Sequence, residues 1–157
     1  LDNIRFWRKL KMGLIIDNIF VNGGTIGMDT RIITLDWGVN GIYSHSGSSY
    51  ASIPIQVLVP KMASIDEFTK IEAKLCISYD TEGAATMDAR LYNYTDSVLV
   101  TGSEFNLPNA TWSYGESGWI DITAFEGKAI RVQAKRNGGA GANNVSIEGA
   151  VLILKYS

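Results

Sequence analysis

His45 and Cys76 are the only histidine and the only cysteine in a chain of 157 residues, and together they limit the chemistry on offer. A zinc site takes three or four His, Cys or carboxylate ligands, and one of each soft type, far apart in the chain, does not supply them. The single Cys76 leaves no intrachain disulfide to form. It sits in Ile71-Glu-Ala-Lys-Leu-Cys-Ile-Ser-Tyr79, on the strand face opposite Ile71, Ala73, Leu75, Ile77 and Tyr79. A free cysteine there is usually an inert small side chain. A reactive thiol wants a cation beside it, and Lys74 is the same-face neighbour. His45 lies in Tyr43-Ser-His-Ser-Gly-Ser-Ser-Tyr50, whose composition reads as a solvated loop. Triads are defined by geometry and not by chain order, but no G-x-S-x-G elbow is present, and only Ser44 and Ser46 flank the histidine.

Carboxylates remain. Glycoside hydrolysis uses two of them at a set separation, and nothing in the spacing of Asp80, Glu82, Asp88, Asp96, Glu104, Asp121 and Glu148 asserts such a pair. Asp80-Thr-Glu82 is the best local candidate for a calcium loop. Gly138-Gly-Ala-Gly141 lacks the following Lys-Ser/Thr and the helix of a phosphate cradle, so it reads as a hairpin loop. The expectation is a chain that is not an enzyme and carries no cofactor.

Aromatic residues offer more. Asn106-Leu-Pro-Asn-Ala-Thr-Trp-Ser-Tyr-Gly-Glu-Ser-Gly-Trp119 reads as a loop that sets Trp112, Tyr114 and Trp119 among polar turn formers. Such rings stack on sugars or protein surfaces, with Asn109, Ser113, Glu116 and Ser117 as hydrogen-bonding neighbours. The alternative is that Trp112 or Trp119 plugs one end of the fold. Tyr92 and Tyr94 share a strand face with Arg90, which fits an exposed sheet or a subunit contact.

The elements that must hold these residues are strands. Apolar residues alternate at 31–37, 53–59, 70–79, 86–94, 98–100, 119–123, 129–135 and 145–156. In the clearest, Met87, Ala89, Leu91 and Asn93 face one way and Asp88, Arg90, Tyr92 and Tyr94 the other. The last strand changes register near Gly149-Ala150, where a bulge is expected. Ser64…Glu67 resembles a capping box for one helical turn. Eight to ten strands without crossover helices point to an all-β fold, an antiparallel two-sheet β-sandwich of jelly-roll type.

Two segments follow: residues 1–12, basic and amphipathic, and a single sandwich domain over 13–157. Ile4, Trp7 and Leu10 recur every third residue, a short helical or irregular segment that packs on the domain or docks a neighbour, with Trp7 at the contact. No apolar run reaches membrane-spanning length and no signal peptide is recognisable. With a net charge of −2, no global positive field draws nucleic acid. Three Asn-x-Ser/Thr triplets, at Asn93, Asn109 and Asn144, are no more than composition provides.

Ala89-Arg-Leu-Tyr-Asn-Tyr-Thr-Asp, Val98-Leu-Val-Thr-Gly-Ser-Glu104, Ile130-Arg-Val-Gln-Ala-Lys135 and Ala150-Val-Leu-Ile-Leu154 together resemble the β-sandwich domains of phage and viral structural proteins, of the tail-fibre, receptor-binding and capsid-decoration kinds. These residues are framework strands, so no binding residue carries over. The resemblance implies a structural or adhesive module, often trimeric, at a virion or extracellular surface. The partners expected are other copies of the chain, in contact through Arg90, Tyr92, Tyr94 and Trp7, and a larger assembly. The competing reading is a carbohydrate-binding module using Trp112, Tyr114, Trp119, Asn109 and Glu116.

Overall fold

Four long strands carry the core, and in each the period-two pattern decides which side chains enter it. A computed structural model describes residues 43–53, 56–61, 69–141 and 143–157, and the strand register of 14–15 and 31–36. Strand β6 (Ile71–Thr81) buries Ile71, Ala73, Leu75, Ile77, Tyr79 and Thr81 and turns Glu72, Lys74, Ser78 and Asp80 outward. Strand β7 (Thr86–Asn93) buries Met87, Ala89, Leu91 and Asn93, and β12 (Ala129–Asn137) buries Ile130, Val132 and Ala134. Strand β13 (Val145–Tyr156) buries Val145 and Ile147. Its register against β6 then shifts between Ile147 and Gly149, after which Ala150, Leu152, Leu154 and Tyr156 face inward. The expected bulge is therefore present, one residue early.

Two antiparallel sheets result. Sheet A runs β1 (Leu14–Ile15), β2 (Arg31–Asp36), β13, β6 and β10 (Ser113–Glu116); β3 (Tyr43–His45) also pairs β13, and β11 (Ile120–Asp121) also pairs β6. Sheet B runs β4 (Ala51–Ser52), β12, β7 and β8 (Val98–Leu99), with β5 (Val57–Leu58) beside β12 and β9 (Phe105–Leu107) beside β7. The pairs nest: β2/β3 with β13, β4/β5 with β12, β6 with β10/β11, β7 with β8/β9. That nesting of first strand with last is the jelly roll. Thirteen strands appear among the described residues where eight to ten were expected, because four of the eight nested positions are each shared by two short strands and β1 adds one more beside β2.

Three expectations change. Asn106–Trp119 is not a loop, since it contains the end of β9, all of β10 and the turn into β11. His45 is not in a solvated loop: it ends β3, paired with Val145, half-buried, its Nε2 2.9 Å from the Ser49 carbonyl oxygen, to which it donates. The strand expected over 53–59 is divided, Ile53 and Val59 lying fully buried outside β4 and β5. Residues 1–12, with Trp7, and the capping-box segment at 64–67 lie outside the described residues, among which no helix is long and apolar enough to cross a membrane.

Several polar groups inside the fold are satisfied by near neighbours. Ser103 Oγ accepts from Leu91 N and donates to Leu91 O, and the buried Asn93 amide brackets Asp96 through two hydrogen bonds at the β7–β8 turn. Tyr156 is buried, donates to the Pro60 carbonyl at 3.2 Å, and has its pKa pushed up to about 12 by that burial.

Candidate binding edge on sheet A

β10 and β11 form one edge of sheet A among the described residues. β10 alternates without an apolar inner residue: Ser113 and Gly115 face in, Tyr114 and Glu116 face out. The core space beneath Gly115 is filled by Leu107 of β9, whose side chain occupies the place a Cβ would take. Ser117 fixes the far end, its N–H on the Leu75 carbonyl and its Oγ accepting from Leu75 N. Asn109 fixes the near end, its amide donating to Thr81 Oγ1, Gly83 O and Ala85 O. That amide braces the β6–β7 turn, so of the five expected ligand-binding residues Asn109 serves as a strut.

The other four lie along the edge. Trp112, Tyr114 and Trp119 are 48%, 61% and 42% exposed. Trp112 stands next to β10 with φ +45°, a left-handed backbone that a bulky residue rarely adopts, and its N–H donates to Asp80 Oδ1 at 3.3 Å. Tyr114 Oη lies 3.4 Å from Glu116 Oε2. Its pKa is raised, first by the Cys76 thiol beneath it and then by burial. Cys76 itself faces outward yet is buried. Trp119 is held under two ammonium groups, Lys74 Nζ at 5.4 Å and Lys155 Nζ at 4.8 Å from the ring centroid. Each lysine is also paired with a carboxylate, Lys74 with Glu116 at 2.9 Å and Lys155 with Glu72. From the Asp80 row to the Lys74 row is six residues, so the aromatic line is about 20 Å long.

This edge can stack flat faces and accept hydrogen bonds. The Lys74 ammonium holds Glu116 below the usual carboxylate range. Glu72, Asp96 and Asp121 are also lowered, by Lys155 and Lys70, by Asn93 and Lys128, and by the Thr123 N–H and hydroxyl respectively. A glycosidase acid needs the opposite displacement. Asp80 and Glu82, the calcium candidates, are engaged separately, Asp80 by Trp112 N and Glu82 by the Asn144 N–H and amide. No group of three His, Cys, Asp or Glu side chains able to hold a metal occurs among the described residues.

No family model and no curated protein matches the chain. Solved structures match its fold. The protein of infectious bursal virus derived T=1 particles is 13% identical, with 89% of this chain and 36% of that one aligned at a TM-score of 0.51. The infectious bursal disease virus VP2 subviral particle is 14% identical over 80% of this chain and 32% of that one, TM-score 0.49. The carbohydrate-binding module CBM36, in complex with calcium and xylotriose, is 12% identical over 79% and 98%, TM-score 0.42. At 13% identity the likeness to the T=1 particle protein is one of fold alone. The chain spans about a third of the length of the capsid proteins.

Arg90, Tyr92 and Tyr94, expected at a subunit contact, do share a surface, the outer face of sheet B. Arg90 lies 3.6 Å above the Tyr50 ring, donates from Nε to Gln133 Oε1 and reaches Glu104 at 4.0 Å. Arg131 lies 3.5 Å above the Tyr94 ring. Burial, and then the Glu104 carboxylate, raise the Tyr50 pKa. Sequence reading missed Lys155, Tyr50 and Arg131, and singled out Lys74 and Asp80 only for other roles, beside the Cys76 thiol and in a calcium loop. Each acts through a neighbour on another strand, and one-strand periodicity carries no signal of it.

Proposed function

We propose that this domain is a non-enzymatic adhesive module of a virion or extracellular surface, and that it attaches to a neutral carbohydrate chain through Trp112, Tyr114, Glu116 and Trp119. The observation that carries this reading is the line of three exposed aromatic rings with an ionised carboxylate among them. Pyranose rings present an apolar face and a polar rim, which is what a ring platform with interleaved acceptors recognises. Lys74 pairs with Glu116, Lys155 and Lys70 share Glu72, and Asp80 stands at the Trp112 end, so three cations meet three carboxylates and the line offers no net charge to select an anionic chain. Glu116, the carboxylate of this edge, is held ionised by Lys74, which suits an acceptor in binding and not a glycosidase's acid.

A glycan array probed with the protein and with Tyr114→Ala and Trp119→Ala tests it. Binding to neutral oligosaccharides that both substitutions abolish, with circular dichroism unchanged, supports the reading. An array without binding, or binding that survives both, removes it.

A further inference from the structure

The outer face of sheet B has an order that appears only when the registers are combined. Its outward side chains make four rows across the strands. The first is Tyr50, Lys135, Asp88, Asn106 and the second Ser52, Gln133, Arg90, Glu104. The third is Gln56, Arg131, Tyr92, Leu99, and the fourth is Leu58, Ala129, Tyr94. The first two rows are charged and balanced; the other two are mainly aromatic and aliphatic, with Leu58, Tyr94 and Leu99 exposed by 62%, 46% and 43% and the one cation among them, Arg131, held over the Tyr94 ring and on Gln56.

We infer that this face docks a second copy of the chain, sheet on sheet, about a twofold axis parallel to the strands. Such an axis keeps each row and exchanges its ends, so the β12 position of one copy meets the β7 position of the other. Lys135 then faces Asp88 of the partner subunit, and Arg131 faces Tyr92 of the partner subunit. Small Ala129 meets large Tyr94 of the partner subunit, and Ser52 meets Glu104 of the partner subunit. No like charges meet. An axis across the strands would instead set the charged rows on the apolar ones and leave Lys135 against Ala129, covering the Lys135–Asp88 pair with apolar surface and no charge from the other copy.

Area also argues for the whole face. Four strand positions by four rows give about 500 Å² of projected surface, more once side-chain relief is included, where a standard interface takes about 800 Å² from each partner. The two apolar rows alone are too small. The polar rows must join the contact; paired within the chain as Lys135–Asp88 at 3.3 Å and Arg90–Glu104 at 4.0 Å, they are also self-complementary across this twofold. The arrangement leaves both aromatic edges of sheet A facing away from the contact, so a dimer would present two.

Sedimentation velocity over a micromolar to millimolar concentration series reads the association directly. The inference expects a monomer–dimer equilibrium that Tyr94→Arg, at an exposed position, weakens at least tenfold. Lys135→Glu and Asp88→Lys should each remain monomeric when alone, and their equimolar mixture should dimerise, because each then meets the opposite charge across the twofold. Circular dichroism shows whether each variant is folded. A protein that stays monomeric throughout overturns the inference, as does a dimer indifferent to Tyr94→Arg or a mixture that fails to recover. None of these outcomes depends on glycan binding.

Discussion

Trp112 separates two readings of the aromatic edge through its backbone. Its φ of +45° costs a non-glycine residue about 1–2 kcal/mol. Substituting glycine removes that strain but restores about 0.5–1 kcal/mol of unfolded-state freedom. The indole is 48% exposed, so about half of the ~1.5–3 kcal/mol for burying a large apolar side chain is lost, roughly 1–1.5 kcal/mol. The net for Trp112→Gly is a loss of only about 0–1 kcal/mol. Trp112→Ala keeps the strain and should be less stable than the glycine variant by up to ~1 kcal/mol, the reverse of the usual order in a sheet. A tryptophan plugging the sandwich would cost about 3–5 kcal/mol on truncation. Urea denaturation of the three proteins measures this, and a glycan titration of the same samples measures binding, which both variants should lose. The reasoning is refuted if both variants lose 3 kcal/mol or more, or if the glycine variant is clearly the less stable of the two.

Other consequences are simpler. Gly115→Val drives a side chain into Leu107 and should cost about 1–3 kcal/mol by urea denaturation while weakening glycan binding, since Tyr114 and Glu116 flank it. Asn93→Ala removes the buried amide that brackets Asp96 and should cost about 1–3 kcal/mol; a loss below about 0.5 kcal/mol would show that the turn holds without it. Glu72, Asp96, Glu116 and Asp121 all have native pKa values below their ordinary ones. Their stabilisation is therefore present above the unfolded pKa values near 4 and is lost as pH falls through the native ones. The urea midpoint should be level from neutrality to about pH 5 and fall below about pH 4; a midpoint that rises on acidification contradicts the assignment.

The framework was legible in the chain because β6, β7, β12 and β13 each alternate over eight or more residues, and the bulge showed as a change of apolar parity near Gly149-Ala150, one residue beyond where it lies. β10 was not legible, because its inner residues are Ser113 and Gly115 and the apolar contact beneath them comes from Leu107. β3 was hidden by the serines around His45. The aromatic types at the edge could be read off, but their alignment could not. It depends on the pairing of β10 with β6 and on Trp112 adopting a left-handed backbone on Asp80. The rows of sheet B were further out of reach, since each collects residues from strands up to 85 positions apart, as Tyr50 and Lys135 are.

The most direct measurement is the indole N–H spectrum of the 15N-labelled protein, with four signals for its four tryptophans, titrated with neutral oligosaccharides that a glycan array selects. Saturable shifts of the Trp112 and Trp119 signals, assigned by substitution, with the Trp37 signal unmoved, are the predicted result. Shifts absent at saturating sugar, or confined to Trp7 and Trp37, would contradict attachment through this edge.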